Sequence, residues 1–95
     1  MPNPNYIRGV NLERLLMSQL RARGYKVMRS AGSHGLIDVH AWNATESLYY
    51  QVKSGKRAYT DDDIAELMEM PRPPHARVYL AERDGGKVDW NMIQC

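Results

Sequence analysis

With 95 residues, the chain has material for one compact domain with a single small core, residues 1–95, and not for two. It is 43% hydrophobic and 25% charged, with no apolar run long enough to span a bilayer and no signal-peptide core near the N-terminus, so a cytoplasmic protein with no membrane partner is expected. The net charge of +2 is unevenly spread: residues 1–57 hold nine Lys/Arg against three Asp/Glu, and residues 58–95 hold four against eight, so the first part would draw a phosphate backbone unless it is simply a solvated basic surface.

Residues 1–6, with two Pro and two Asn, read as an irregular lead-in. Over residues 7–23, Leu12, Leu16 and Leu20 recur at i, i+4 and i+8, and Leu15 and Met17 widen the stripe into the strongest helix of the chain. Gly24 supplies a left-handed stop, and Arg21 and Arg23 suit the negative end of the helix dipole. At about 100° per residue, Glu13 falls between Leu20 and Met17 and so within the apolar arc. A carboxylate in that position needs a metal ion or a cationic partner, for which Arg14 and Arg21 are close along the helix.

Residues 25–29 read as a short strand, and residues 30–35 as a flexible turn rich in small and hydroxylic side chains. The turn leads toward Asp38, so Ser33 is placed to contact a phosphate and His34 to act as a phosphate contact or an acid, unless it is merely solvent-exposed; His40 and His75 carry less weight. Residues 35–39 and 48–53 are β-branched, aromatic and apolar runs joined by a polar linker at 43–47, which predicts an antiparallel hairpin. Alternation puts Gln51 and Lys53 on one face and Leu48, Tyr50 and Val52 on the other, and one register sets Asp38 beside Gln51 and Lys53.

A carboxylate, an amide oxygen and an ammonium gathered this way suit metal-assisted phosphodiester hydrolysis. A hard cation such as Mg²⁺ takes oxygen ligands and activates water, and the ammonium offsets charge that builds on the phosphate. An ordinary ion pair between neighbouring strands uses the same residue types.

Past this hairpin, residues 54–57, with Lys56 and Arg57, form a polar basic turn suited to backbone phosphates. The acidic run Asp61, Asp62 and Asp63 reads as a helix start rather than a metal site, since Thr60 and Asp63 have capping-box spacing and acids favour the positive helix end. Ile64, Leu67 and Met68 continue that helix, and Pro71 closes it at Met70. Residues 77–81 and 87–90 read as strands joined through Asp84, Gly85 and Gly86. The single cysteine, Cys95, excludes an intrachain disulfide or a cysteine metal site. The order is α-β-β-β-α-β-β, and the helix between the third and fourth strands permits a parallel pairing, so an α/β mixed five-stranded sheet flanked by helices is expected.

These residues resemble the PD-(D/E)xK nuclease superfamily and, within it, the archaeal and phage Holliday junction resolvases. The resemblance runs through Arg8-Gly9-Val10-Asn11-Leu12-Glu13, then Arg29-Ser30-Ala31-Gly32-Ser33, then Ile37-Asp38-Val39, then Gln51-Val52-Lys53. It implies a restriction-endonuclease-like fold in which Glu13, Asp38 and Gln51 hold Mg²⁺ (Mn²⁺ being possible) and Lys53 is the catalytic lysine. Ser33 corresponds to the resolvases' loop serine, and Arg8 and Arg29 to basic positions that bind phosphate. Gln51 departs from the family's Glu, since its amide offers a metal one neutral oxygen and no charge. Leu36-Ile37 stand ahead of Asp38 where the superfamily's name has a Pro.

The implied activity is structure-selective cleavage of four-way DNA junctions by paired nicks, carried out by a homodimer, in the host cytoplasm if the protein is phage-encoded. The alternatives are a restriction-type or repair endonuclease on duplex DNA, toward which Gln51 leans, and a catalytically weak DNA-binding module of the same fold.

Overall fold

The computed structural model of the chain describes residues 4–30, 35–55, 59–83 and 89–95, with side chains from Gly9 onward. The elements run α1 (Pro4–Ala22), β1 (Lys26–Arg29), β2 (Val39–Trp42), β3 (Ser47–Ser54), α2 (Asp61–Glu69), β4 (Ala76–Arg83) and β5 (Asn91–Gln94). The five strands form one sheet in sequence order. Every neighbouring pair is antiparallel except β3 and β4, which are joined through α2 and run parallel. This is the mixed sheet that the order of sequence patterns predicts.

Helix α1 begins at Pro4, earlier than the proline-containing lead-in suggests. Proline is tolerated in a first turn, where its missing N–H would have no partner in the helix anyway. The helix ends in a pair of hydrogen bonds around Gly24, whose φ is +94°: Gly24 N–H donates to Arg21 O at 2.9 Å, and Tyr25 N–H to Leu20 O at 3.2 Å. A β-carbon disfavours that left-handed backbone, which is why the stop is legible as a glycine.

The alternation of β3 divides the core between the two faces of the sheet. Leu48 and Tyr50 join Val39 and Ala41 of β2 and Ala81 of β4 beneath Leu16 and Leu20 of α1. Tyr49 belongs to the opposite face, where Leu67 of α2 covers Val78 and Leu80 of β4, with Leu36, Ile37 and Ile93 at the margin. Burying such side chains from both faces supplies the main drive for folding, at about 25 cal/mol per Å² of apolar surface.

Two strands differ from their sequence patterns. The one expected at residues 35–39 is β2, displaced to Val39–Trp42, because Leu36 and Ile37 are spent packing on the α2 side before regular pairing begins. The one expected at residues 87–90 is β5, which begins at Asn91 opposite Glu82. Trp90 is held off the ladder: its indole N–H donates to Gln19 Oε1 at 2.7 Å, and Arg83 lies 5.9 Å from its ring centroid. The predicted turn at Asp84, Gly85 and Gly86 lies outside the described residues.

Helix α2 carries the predicted capping box. Thr60 Oγ1 accepts the Asp63 N–H at 3.2 Å, and Asp63 Oδ2 accepts the Thr60 N–H at 2.7 Å. At the other end the Arg72 guanidinium donates to Leu67 O, Met68 O (3.2 Å) and Met70 O (3.0 Å), and also to Cys95 O at 2.6 Å just past β5. One side chain therefore satisfies helix-terminal carbonyls and fastens the last residue of the chain to them.

Candidate active site

Asp38 stands one residue before β2. Its backbone is bonded like that of a strand residue: the N–H donates to Tyr50 O at 2.8 Å and the carbonyl accepts Ser30 N–H at 2.9 Å. Its side chain takes a further donor from β3, with Oδ2 accepting the Val52 N–H at 2.8 Å. The carboxylate is thereby pinned to the β2–β3 seam. Continuing the pairing of Val39 with Tyr50 by one residue sets Asp38 opposite Gln51, which is the one register that brings these residues together. Burial raises the Asp38 pKa above the usual carboxylate value, against the lowering effects of the Val52 N–H and the Lys53 charge.

Glu13 approaches from α1. Its side chain is 14% exposed, and Oε1 lies 3.8 Å from Nη1 of Arg29. The cation that meets this apolar-arc acid is thus on β1 rather than on the helix, where Arg14 and Arg21 are exposed. Burial raises the Glu13 pKa, the charge of Asp38 raises it further, and Arg29 lowers it. A half-buried carboxylate distant in the sequence is therefore close enough to Asp38 to feel its charge.

The remaining members come from β3. Gln51 Oε1 is buried and has no hydrogen-bond partner among the described residues. Lys53 lies within reach of two acids: its charge acts on Asp38, and its Nζ is 3.7 Å from Oδ2 of Asp63. Sequence reasoning gave Asp63 a capping role alone. A pairing between a strand and the first turn of the following helix leaves no periodic signal by which it could be found.

Arg29, expected to contact phosphate, is engaged with Glu13 at the edge of the site. His40 has a structural setting: Nε2 is 2.7 Å from Ser47 Oγ, the ring stacks on Tyr49 at 4.5 Å, and burial lowers its pKa, which favours the neutral form. Ser33, His34, Lys56 and Arg57 lie outside the described residues, and Arg8 is described only by its backbone within α1.

Among the described residues no three His, Cys, Asp or Glu side chains converge as a metal cluster. The oxygen donors at hand are the carboxylates of Glu13 and Asp38 and the orphaned amide oxygen of Gln51. They fit a hard divalent cation, which relieves repulsion between carboxylates and gives a buried, unpaired oxygen a partner.

Comparison with known proteins assigns the family. The family model for archaeal Holliday junction resolvases matches residues 4–95. Among solved structures, the chain is similar to that of Archaeoglobus fulgidus Hjc, a Holliday junction resolvase from an archaeal hyperthermophile. The identity is 26% and the TM-score 0.68, over 88% of this chain and 73% of that chain. With a match across nearly its whole length and the same fold, this chain belongs to the archaeal Holliday junction resolvase family, whose members are nucleases that act on branched DNA.

Proposed function

We infer that the chain is a Mg²⁺-dependent endonuclease that resolves four-way junctions by paired, symmetric nicks, with Glu13, Asp38 and Gln51 holding the ion. The observation that carries this reading is the Asp38 carboxylate, pinned by the Val52 N–H at 2.8 Å and opposite Gln51, whose buried Oε1 has no partner among the described residues, with the half-buried Glu13 close enough for the Asp38 charge to raise its pKa. A divalent ion held by these residues would supply polarisation of a phosphodiester and a water molecule of lowered pKa.

The protein's own groups do the rest. The Lys53 ammonium orients the attacking water or offsets the charge that builds on the phosphate. Asp38 is kept in one orientation by the Val52 N–H, so ligand geometry does not have to be assembled on binding. Arg29 holds Glu13 in place and adds positive charge at the mouth of the site. Arg8, Ser33, His34, Lys56 and Arg57 are assigned to DNA contacts from the resemblance and from the basic first part of the chain. Two symmetric cuts need two sites, and a C2 homodimer supplies them in the symmetry of the junction itself.

The test is cleavage of a labelled four-way junction beside a linear duplex of the same sequence, in Mg²⁺, in Mn²⁺ and in EDTA, with wild-type and Asp38→Asn protein. Paired nicks in the junction alone, lost in EDTA and in the variant, are expected. Equal cutting of the duplex would move the protein to restriction or repair chemistry. Tight binding without cutting in either metal would leave only a DNA-binding module.

A further inference from the structure

Lys53 is a long, flexible side chain whose usefulness depends on where its ammonium is held. Its neighbour on the same face two residues earlier, Gln51, carries no charge, and β3 contains no acid. Glu82 is level with Lys53 on β4, and its Oε1 accepts a bond from Asn91 Nδ2 at 3.4 Å. Among the described residues, the carboxylate of Asp63 lies at ion-pair distance from Lys53 Nζ, at 3.7 Å, and the two side chains are only 29% and 26% exposed.

Asp63 is itself immobilised. Its Oδ2, the atom that faces Lys53, is also the atom bonded to the Thr60 N–H at 2.7 Å, and its own N–H is bonded to Thr60 Oγ1. The first turn of α2 therefore presents a fixed negative charge to a lysine that would otherwise sample many rotamers. The charge of Lys53 also acts on Asp38. The ammonium is paired with a carboxylate of the helix and is close enough to the carboxylate of the site to influence it.

We propose that Asp63 is a positioning residue for Lys53, with the Thr60 N–H bond to its Oδ2 serving as the mount that aims the lysine into the site. The arrangement gives this chain, which has Gln at position 51, a negative partner for its lysine without a second acid on β3. The proposal rests on the role of Lys53 in cleavage given above.

Four variants separate the possibilities: Asp63→Asn, Asp63→Glu, Thr60→Ala and Lys53→Met. Each is measured by single-turnover cleavage of a four-way junction in Mg²⁺ at saturating protein, by junction binding in EDTA, and by thermal midpoint. Asp63→Asn is expected to slow cleavage about tenfold while junction binding stays within about twofold, since misplacing a catalytic group acts on rate rather than affinity. Asp63→Glu keeps the charge and a capping-box residue and is expected to recover most of the rate. Thr60→Ala removes Oγ1 but keeps the backbone N–H that holds Oδ2, so it should lower the thermal midpoint and leave the rate largely intact.

Asp63→Asn cleaving at the wild-type rate while Lys53→Met is inactive would overturn the positioning role alone. Thr60→Ala losing as much rate as Asp63→Asn would reduce Asp63 to a helix cap. Lys53→Met cleaving normally would instead remove the role of Lys53 itself.

Discussion

Asp38 shows how the site trades stability for readiness to bind a cation. Because burial raises its pKa, the folded chain binds a proton there more tightly than the unfolded chain does. The metal-free fold therefore loses stability as pH rises from the ordinary Asp value of 3.8 through the raised folded value, and above that value the penalty is complete. Asp38→Asn removes the charge while its amide oxygen can still accept the Val52 N–H. The variant should be inactive, yet melt at a higher temperature than wild type at pH 7 without metal, and the gain should vanish below about pH 3.8. Thermal denaturation of both proteins across that pH range checks the sign. Gln51→Glu works in the opposite sense by placing a charge where there is now a neutral orphaned oxygen. It should reduce the Mg²⁺ concentration for half-maximal cleavage by about tenfold, or ~1.4 kcal/mol, and lower the thermal midpoint when metal is absent. A metal titration and a melt read the two effects separately.

At the scale of elements, α2 is a short helix fixed at both ends by side chains rather than by length. Its N-terminal box was legible because a cap is local: Thr60 and Asp63 are three residues apart and need no tertiary information. Its C-terminal fastening was not, because Arg72 reaches Cys95, 23 residues away, just past a strand whose position depends on the whole sheet. Arg72→Met should keep most of the packing of the stem and lose the bonds to four carbonyls. A cost of about 2–3 kcal/mol is expected, given that hydrogen bonds to a charged donor contribute ~1.5–3 kcal/mol each when buried and less at a partly exposed end. Urea unfolding measures it, and the loss should appear as a shifted midpoint with an unchanged slope. The same reasoning explains the displaced strands. Ile37 and Trp90, each in a run expected to be a strand, are partly buried against the helix-facing cores rather than paired in the ladder.

At the scale of the whole molecule, the order of elements and the parallel β3–β4 step were readable because periodicity and chain connectivity restrict the topology. The gathering of Glu13 with Asp38 was partly readable, from an acid placed on an apolar stripe. The identity of its cation was not, since Arg29 reaches Glu13 only once β1 has folded back along α1. The basic first part of the chain makes a global prediction. Junction binding in EDTA should weaken steeply with salt, and Arg8→Ala should reduce the slope of log K against log salt by about 0.9, as expected for one lost phosphate contact. A slope equal to that of wild type would place Arg8 away from the backbone. Sedimentation equilibrium should give twice the 10.9 kDa mass of one chain.

The bond from the Val52 amide to Asp38 Oδ2 makes one backbone proton a witness to the chemistry. Its acceptor is not a ladder carbonyl but a group that can gain a proton or share its electrons with a cation. The resonance of that single amide in a ¹⁵N-labelled sample should therefore move when Asp38 titrates, and again when Mg²⁺ is added, while Leu48 and Val78 in the interior stay still. The sheet thus carries its own indicator of site occupancy, readable without DNA and without a single bond being cut.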